Sequence, residues 1–204
     1  MDASNSDSLN IADLPVVGVA NWLDKSGNER HATQIIGANQ PILQNDGVAF
    51  DGINDFLDVD LDFLAGTDHQ SYIVAEVIAD HANFYGATSG GGGNESLHVG
   101  FRNGNEYRIN FWGNDFQPDI GSNFDPGEQN ILSYRWEAGV GKEVFANGFS
   151  EASNTNAGTI GTMRDGGRIV CVTESSHGCM NVIMQEMIFV TGTNISTAND
   201  ERIT

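Results

Sequence analysis

Acidic residues at regular spacing are the first feature of this sequence that could do chemistry. Cleavage of a glycosidic bond needs two positioned carboxylates, and two segments place acids on one face of a predicted strand. Residues 55–62, DFLDVDLD, alternate acidic and apolar side chains, whereas Glu76 and Asp80 share a strand face with Ile78 between them. The acids of the first segment lie opposite the apolar positions that a core requires. In the second segment an apolar residue, Ile78, occupies the position between the two acids where a third acid would complete the row. We therefore assign no catalytic residue.

Other catalytic patterns are incomplete. The five histidines show no zinc spacing such as H-E-x-x-H, and the sequence contains no G-x-S-x-G nucleophile motif. The SGGGGN loop at 89–94 follows a predicted strand, but neither a lysine nor a helix follows it. A phosphate cradle needs both backbone donors and a helix start, so we interpret this segment as a connecting loop.

The charge balance narrows the range of partners. The chain of 204 residues has 9 Lys and Arg against 28 Asp and Glu, a net charge of −19. Such a surface repels phosphate backbones and anionic lipids, so we expect neither a nucleic-acid partner nor membrane insertion. The acidity fits solubility in a salty or extracellular medium, and alternatively the binding of a hard cation such as Ca²⁺, which takes oxygen ligands. Composition alone favours solubility.

Short strands are the elements that must position any site. Residues 71–80, SYIVAEVIAD, are β-branched and apolar, and turn pairs such as Asn147-Gly148 separate segments of this kind. We count about twelve to fourteen such segments at the spacing typical of sandwiches. The sequence therefore predicts one all-β domain over 1–204, a two-sheet antiparallel β-sandwich with little helix, the one helix beginning near 196.

Residues 21–34, NWLDKSGNERHATQ, gather a Trp, an Asp and a His within a short span. This segment is either a ligand site or a corner of the sandwich. We favour the corner: Trp22 is then a core anchor, because large aromatic side chains dominate such cores. Asp24, Ser26 and Asn28 are then expected to bond to the backbone of their own turn.

The same loop, with Pro41 and VAFDGINDFL at 48–57, resembles the concanavalin A-like lectin/glucanase superfamily in its laminin-G-like branch, which is related to pentraxin-like domains. The segments SLHVGFRNGNEYRINFWGND, EVFANG and MQEMIFVTGTNISTANDER continue the resemblance in order over nearly the whole chain. It implies a jelly-roll sandwich. Because the acidic signature of the glucanase members is absent, it implies binding rather than hydrolysis.

Two departures concern the ends of the chain. Domains of this branch often begin with an apolar strand ahead of an Asp-Ala-Ser-like segment, and here that segment follows Met1 directly. They often end with an aromatic strand beyond the helix, whereas this sequence stops at Thr204. The resemblance thus implies a laminin-G-like domain excised from a larger protein.

Calcium is the cofactor that the resemblance implies, and one of two candidate places is the convex side of the sandwich. There it nominates Asp2, either Asp51 or the Gly52 carbonyl, and Glu186 as metal ligands. Glu186 stands within the apolar run VIMQEMIFV, where a charge needs a partner. The alternative, that Glu186 lies on the wet face of an edge strand, explains its position equally well.

The second place is the rim of the sandwich, at the loops GGGGNES and VTESSHG. The resemblance nominates Asn94, Glu95 and Glu174 as ligands for calcium or a glycan, with Trp112 as an aromatic face for a sugar. The alternative is that both segments are ordinary polar loops, and the residue types by themselves favour it.

Cys171 and Cys179 flank the seven residues VTESSHG. Antiparallel hairpin strands would bring the two cysteines within bridging distance. An oxidised pair fits an extracellular home, and a reduced pair would serve as two small buried hydrophobes. Both alternatives stay open at the level of sequence.

The leading functional hypothesis is a non-catalytic, lectin-like module for carbohydrate binding or adhesion. Its partner would be a glycan or surface polysaccharide, with calcium assistance, in an extracellular, cell-surface or virion setting. The alternative is a structural or decoration domain of a virion or large surface protein, with protein assembly partners. A polysaccharide-active enzyme is the third hypothesis.

Overall fold

The computed structural model describes residues 18–44, 47–79, 82–88, 92–161, 166–172 and 178–192, together with Ile195. These residues form two short 3-10 helices, Gly37–Asn39 and Asp62–Leu64, and fourteen strands. The strands are β1 Asn21–Trp22, β2 Ala32–Thr33, β3 Ile42–Gln44, β4 Gly47–Asp51, β5 Leu57–Val59, β6 His69–Ala79, β7 Asn83–Ala87, β8 His98–Arg102, β9 Glu106–Asn110, β10 Gln129–Glu137, β11 Gly141–Ala146, β12 Phe149–Asn154, β13 Gly167–Ile169 and β14 Asn181–Thr191. The helix predicted near 196 lies outside the described residues.

The strands pair into two seven-stranded sheets. Sheet I has the order β1-β2-β5-β13-β7-β8-β9, and sheet II has the order β12-β11-β10-β6-β14-β4-β3. Every pairing between these strands is antiparallel. The predicted two-sheet antiparallel sandwich is therefore confirmed.

The core lies between the two sheets and follows from the alternation of side chains along each strand. Every second residue is buried and apolar from Ile73 to Val77 on β6 and from Leu132 to Trp136 on β10, and one cluster joins these side chains to those of sheet I. Two tyrosine hydroxyls bridge the layers: Tyr134 donates to the Gly100 carbonyl at 3.2 Å, and Tyr85 donates to Ser71 Oγ at 3.0 Å. The inward residues of these two strands are Ile73, Ala75, Val77, Leu132, Tyr134 and Trp136.

The corner at 21–34 satisfies its own polar groups. The Asp24 carboxylate accepts bonds from the Ser26 backbone N–H at 2.8 Å, the Ser26 hydroxyl at 2.9 Å and the Arg30 N–H at 3.1 Å. These bonds, with the Ser26 N–H first, lower the pKa of Asp24 to about 2. Trp22 is partly buried and packs against the core. The predicted self-bonded turn is confirmed for Asp24 and Ser26, whereas the Asn28 amide donates to the Ser26 hydroxyl at 2.7 Å instead of to backbone.

Among the described residues, no helix has both the length and the apolar character required to cross a bilayer.

Candidate functional site

Asn94, Glu95, Trp112 and Asn114, here called the rim cluster, meet where β8 begins and β9 ends. The two strands are antiparallel, with the start of β8 opposite the end of β9, so the residues before β8 and after β9 lie side by side. The Asn94 backbone N–H donates to the Trp112 carbonyl at 2.8 Å. The Asn114 side-chain amide donates to the Asn94 side-chain oxygen. The structure thus brings together three of the four rim residues nominated from sequence, and Glu174 lies outside the described residues.

Trp112 presents its indole to solvent. It is 44% exposed, whereas Trp136 is 2% exposed and serves the core. The His98 ring, 6.3 Å from Trp112 between ring centroids, supports it from sheet I. An exposed indole beside amide and carboxylate groups offers an apolar face with polar edges. A sugar ring has the complementary distribution of C–H faces and hydroxyl edges.

Calcium does not fit the described members of the rim cluster. Glu95 Oε2 accepts a bond from the Gly92 N–H at 2.9 Å, and the Asn94 side-chain oxygen accepts from Asn114. These oxygens hold the loop together, and Ca²⁺ needs six to eight oxygen ligands. Among the described residues there is also no group of three or more His, Cys, Asp or Glu side chains that could hold a metal.

The nominated convex-side set is not assembled, and the prediction of a shared ion there needs correction. Asp51 lies opposite Asn181 on β14, whereas Glu186 lies further along the same strand, beyond the end of the β4 pairing. Their separation along β14 is on the order of 16 Å, too far for one ion to bridge. Gly52 stays beside Asn181, with its hypothetical Cβ 3.1 Å from that backbone nitrogen. Asp2 lies outside the described residues.

Asp51 instead closes its own turn. Its Oδ1 accepts bonds from the N–H groups of Ile53 at 2.8 Å and Asn54 at 3.1 Å, while Asp55 Oδ2 accepts from the Asp51 N–H at 3.1 Å. Burial, with the Asp51 charge second, raises the pKa of Asp55. The carboxylates of Asp51 and Asp55 therefore stabilise the turn between β4 and β5.

A cleft of about 630 Å³ lies beside the second half of β14. Because β4 pairs with β14 only as far as Met184, the outer edge of β14 beyond this point has no strand partner among the described residues. Glu186 is exposed there, in agreement with the wet-edge alternative. Sequence reasoning missed the cleft. The side chains that line it include Trp22, Asp24, Arg30, Phe63, Glu186 and Phe189.

A buried lysine beneath the rim cluster was also missed. Lys142 on β11 is 1% exposed, its Nζ lies 4.6 Å from the centre of the Phe111 ring, and Nζ donates to the Asn114 carbonyl. Burial lowers the pKa of Lys142 to about 8, although the Asp115 carboxylate acts in the opposite direction. Lys142 shares the inward face of its strand with Val144, and that alternation was the one available sequence signal.

Cys171 and Cys179 are joined by a disulfide. The bridge closes the VTESSHG loop at one end of sheet I. Residues 173–177 of this loop, which include the nominated Glu174, lie outside the described part of the chain.

No protein-family model and no curated protein sequence matches this chain. Solved structures do match in shape. Trypanosoma rangeli sialidase in complex with sialic acid has a TM-score of 0.64 and 12% identity, over 91% of this chain and 31% of the sialidase. The binding domain of Paraclostridial Mosquitocidal Protein 1 has a TM-score of 0.66 and 11% identity, over 92% and 50%. The CBM40 domain of Ruminococcus gnavus IT-sialidase has a TM-score of 0.57 and 12% identity, over 79% and 98%.

These matches show a shared fold. The chain spans about a third of the sialidase and half of the solved binding domain of the mosquitocidal protein. At such low identity the likeness carries the β-sandwich architecture alone. It agrees with the concanavalin-like sandwich that the sequence resemblance implied, whereas the laminin-G-like branch stays a prediction.

Proposed function

We propose that this chain is a non-catalytic carbohydrate-binding domain that holds a glycan or surface polysaccharide at the rim cluster. The observation that carries the proposal is the 44% exposed indole of Trp112 beside the hydrogen-bonded amides of Asn94 and Asn114. An exposed apolar side chain is common on a protein surface, but at Trp112 the polar groups needed to orient a ligand stand on the neighbouring residues.

The geometry suits a sugar in two ways. The Trp112 indole offers a flat apolar face to the C–H side of a pyranose ring, and amide and carboxylate side chains that can bond to hydroxyls stand on the loop that is bonded to the Trp112 backbone. The bond from the Asn94 N–H to the Trp112 carbonyl fixes the two loops relative to each other before a ligand arrives. Such preorganisation reduces the ordering cost of binding.

The comparisons support this proposal at the level of fold. One matching structure is a sialidase holding sialic acid, and another is the CBM40 domain of a sialidase. The disulfide between Cys171 and Cys179 supports an extracellular setting, since such bonds persist in oxidising compartments. Adhesion and the laminin-G-like branch belong to the same proposal.

A glycan array tests the proposal directly. The protein is applied to neutral and acidic glycans with calcium or with a chelator, and hits are measured by titration calorimetry. Trp112→Ala should weaken binding by on the order of tenfold, because an aromatic contact contributes about 1 kcal/mol beyond its area. Phe149→Ala is the matched control, since Phe149 is an exposed aromatic side chain, 63% accessible, at the opposite end of β12 from the neighbour of Lys142, Asn154.

Four results of the glycan-array experiment would change the proposal. Equal binding by the two variants would move the site away from the rim, and binding to no glycan would refute the proposed function. Loss of binding in chelator would require calcium, although the described oxygens do not assemble a site for it. Reducing-sugar release from any array hit would contradict the non-catalytic part.

A second candidate function is a structural role in a surface assembly, and it is favoured by the outer edge of β14 beyond Met184, which pairs with no other described strand. An unpaired strand edge can pair with a strand of another copy. Light scattering at rising concentration would then show an ordered multimer, and a charge introduced by Ile188→Lys, at a residue 36% exposed on this strand, should disperse it. A monomer at every concentration would exclude this role.

A further inference from the structure

Lys142 occupies an inward position that usually takes an apolar side chain. Its cross-strand neighbours are Trp136 on β10 and Asn154 on β12. A buried ammonium is costly unless its charge is compensated, and here the compensation comes from one segment, the turn that follows β9. The Phe111 ring lies 4.6 Å from Nζ, and the Asn114 carbonyl accepts its hydrogen bond.

The two contacts hold both ends of the turn that carries Trp112. Phe111 precedes the tryptophan, and Asn114 follows it by two residues. The turn is closed by a bond from the Asn114 N–H to the Phe111 carbonyl at 3.0 Å. Asn114 then reaches Asn94 through its side chain. A chain of contacts therefore runs from the buried ammonium to every amide of the rim cluster.

We propose that Lys142 is the positioning residue of the rim cluster, and that the charge on its ammonium sets the orientation of the Trp112 turn and with it the affinity for glycan. The inference rests on the proposed function for its last step only. The coupling between Lys142 and Trp112 is a property of the protein without ligand.

Deprotonation would loosen this anchor near pH 8. Burial lowers the pKa of Lys142 to about 8, and the Asp115 carboxylate opposes that effect. The other facing groups are the Trp136 indole on β10, the Asn154 amide on β12 and the Phe111 ring, none of which ionises in this range. Loss of the proton removes the cation–π contact and turns a charge-assisted hydrogen bond into a weaker neutral one.

The first experiment uses the protein without ligand. The ring C–H resonances of Trp112 are assigned with Trp112→Phe and followed by NMR from pH 6.5 to 9.5. We expect them to shift with a midpoint near pH 8 in the natural sequence and to stay constant in Lys142→Met, which keeps the length of the side chain and removes its charge. A Trp112 signal that is flat in the natural protein, or that titrates equally in Lys142→Met, would overturn the proposal.

Asp115→Asn provides a variant that keeps the test valid if Lys142→Met fails to fold. Asp115 is exposed, and removal of its carboxylate withdraws support from the charged form of Lys142, so the Trp112 midpoint should move to lower pH. An unchanged midpoint would contradict the assigned interaction between the Asp115 carboxylate and the Lys142 ammonium.

The second experiment measures affinity for a glycan from the array at pH 6.5 and 9.5. We expect affinity to fall several-fold in the natural protein and to change little with pH in Lys142→Met. An affinity independent of pH in both proteins would overturn the inference. A Trp112 signal that shifts with pH, in a protein that binds no glycan, would support the positioning role and refute the proposed function. Failure of the inference and failure of the proposed function are therefore distinguishable.

Discussion

His69 allows one prediction to be worked through from the structure. It is the first residue of β6 and is 1% exposed. Its ring stacks on Trp136 with 5.9 Å between ring centroids, and its Nδ1 lies 2.8 Å from the Thr67 carbonyl oxygen. Nδ1 therefore carries the proton that bonds to this carbonyl, and a second proton on Nε2 would place a charge in the core.

The free-energy cost of a charged His69 in the core determines how strongly the stability of the protein depends on pH. Burial lowers the pKa of His69 from 6.5 to about 4, against weaker opposing effects of the Thr67 bond and the Asp68 charge. Between these values the unfolded chain binds more protons than the folded protein, so stability is lost as the pH falls. The contribution of His69 is fully present above pH 6.5 and declines by about 2 kcal/mol at pH 5 and about 3 kcal/mol in all.

Urea unfolding at pH 7 and pH 5 measures this contribution. His69→Gln removes the titration, so its loss of stability over this range should be smaller than that of the natural protein by about 2 kcal/mol. His31→Gln is the control, because His31 is exposed. Carboxylates titrate in all three proteins and cancel in the comparison. Equal pH dependence of the natural protein and His69→Gln would refute the assignment of a neutral, buried imidazole.

Two further predictions concern the backbone. Gly141 has φ of 144°, and an added Cβ would collide with the Asn154 carbonyl, so Gly141→Ala should lower the unfolding free energy by more than about 2 kcal/mol. Gly139→Ala, at φ of 73° with open space around it, should cost about 1 kcal/mol, and equal midpoints in urea would contradict this. Reduction of the bond between Cys171 and Cys179 should cost about 2.5 kcal/mol, measured as the shift in unfolding with and without dithiothreitol, and no shift would remove its stabilising role.

The sequence predicted the features that depend on neighbouring residues. The Asn147-Gly148 pair predicted a hairpin, and the structure joins β11 to β12 there, with both residues at positive φ. The turn around Asp24 formed as expected, because the groups that bond to its carboxylate lie within six positions along the chain. Alternation of apolar residues was sufficient for the all-β class, since the side chains of a strand point to opposite faces in turn.

The register between strands was beyond the reach of the sequence. Asp51 and Glu186 were expected to share an ion, yet the pairing of β4 with β14 places Asp51 opposite Asn181 instead. In the sequence Lys142 looks like an ordinary polar residue. Only the fold brings its ammonium to the Asn114 carbonyl, 28 positions away in the chain. Local patterns fix which residues form strands. Packing between segments far apart in the chain decides which strands pair and in which register. The local alternation of side chains contains no information about these partners.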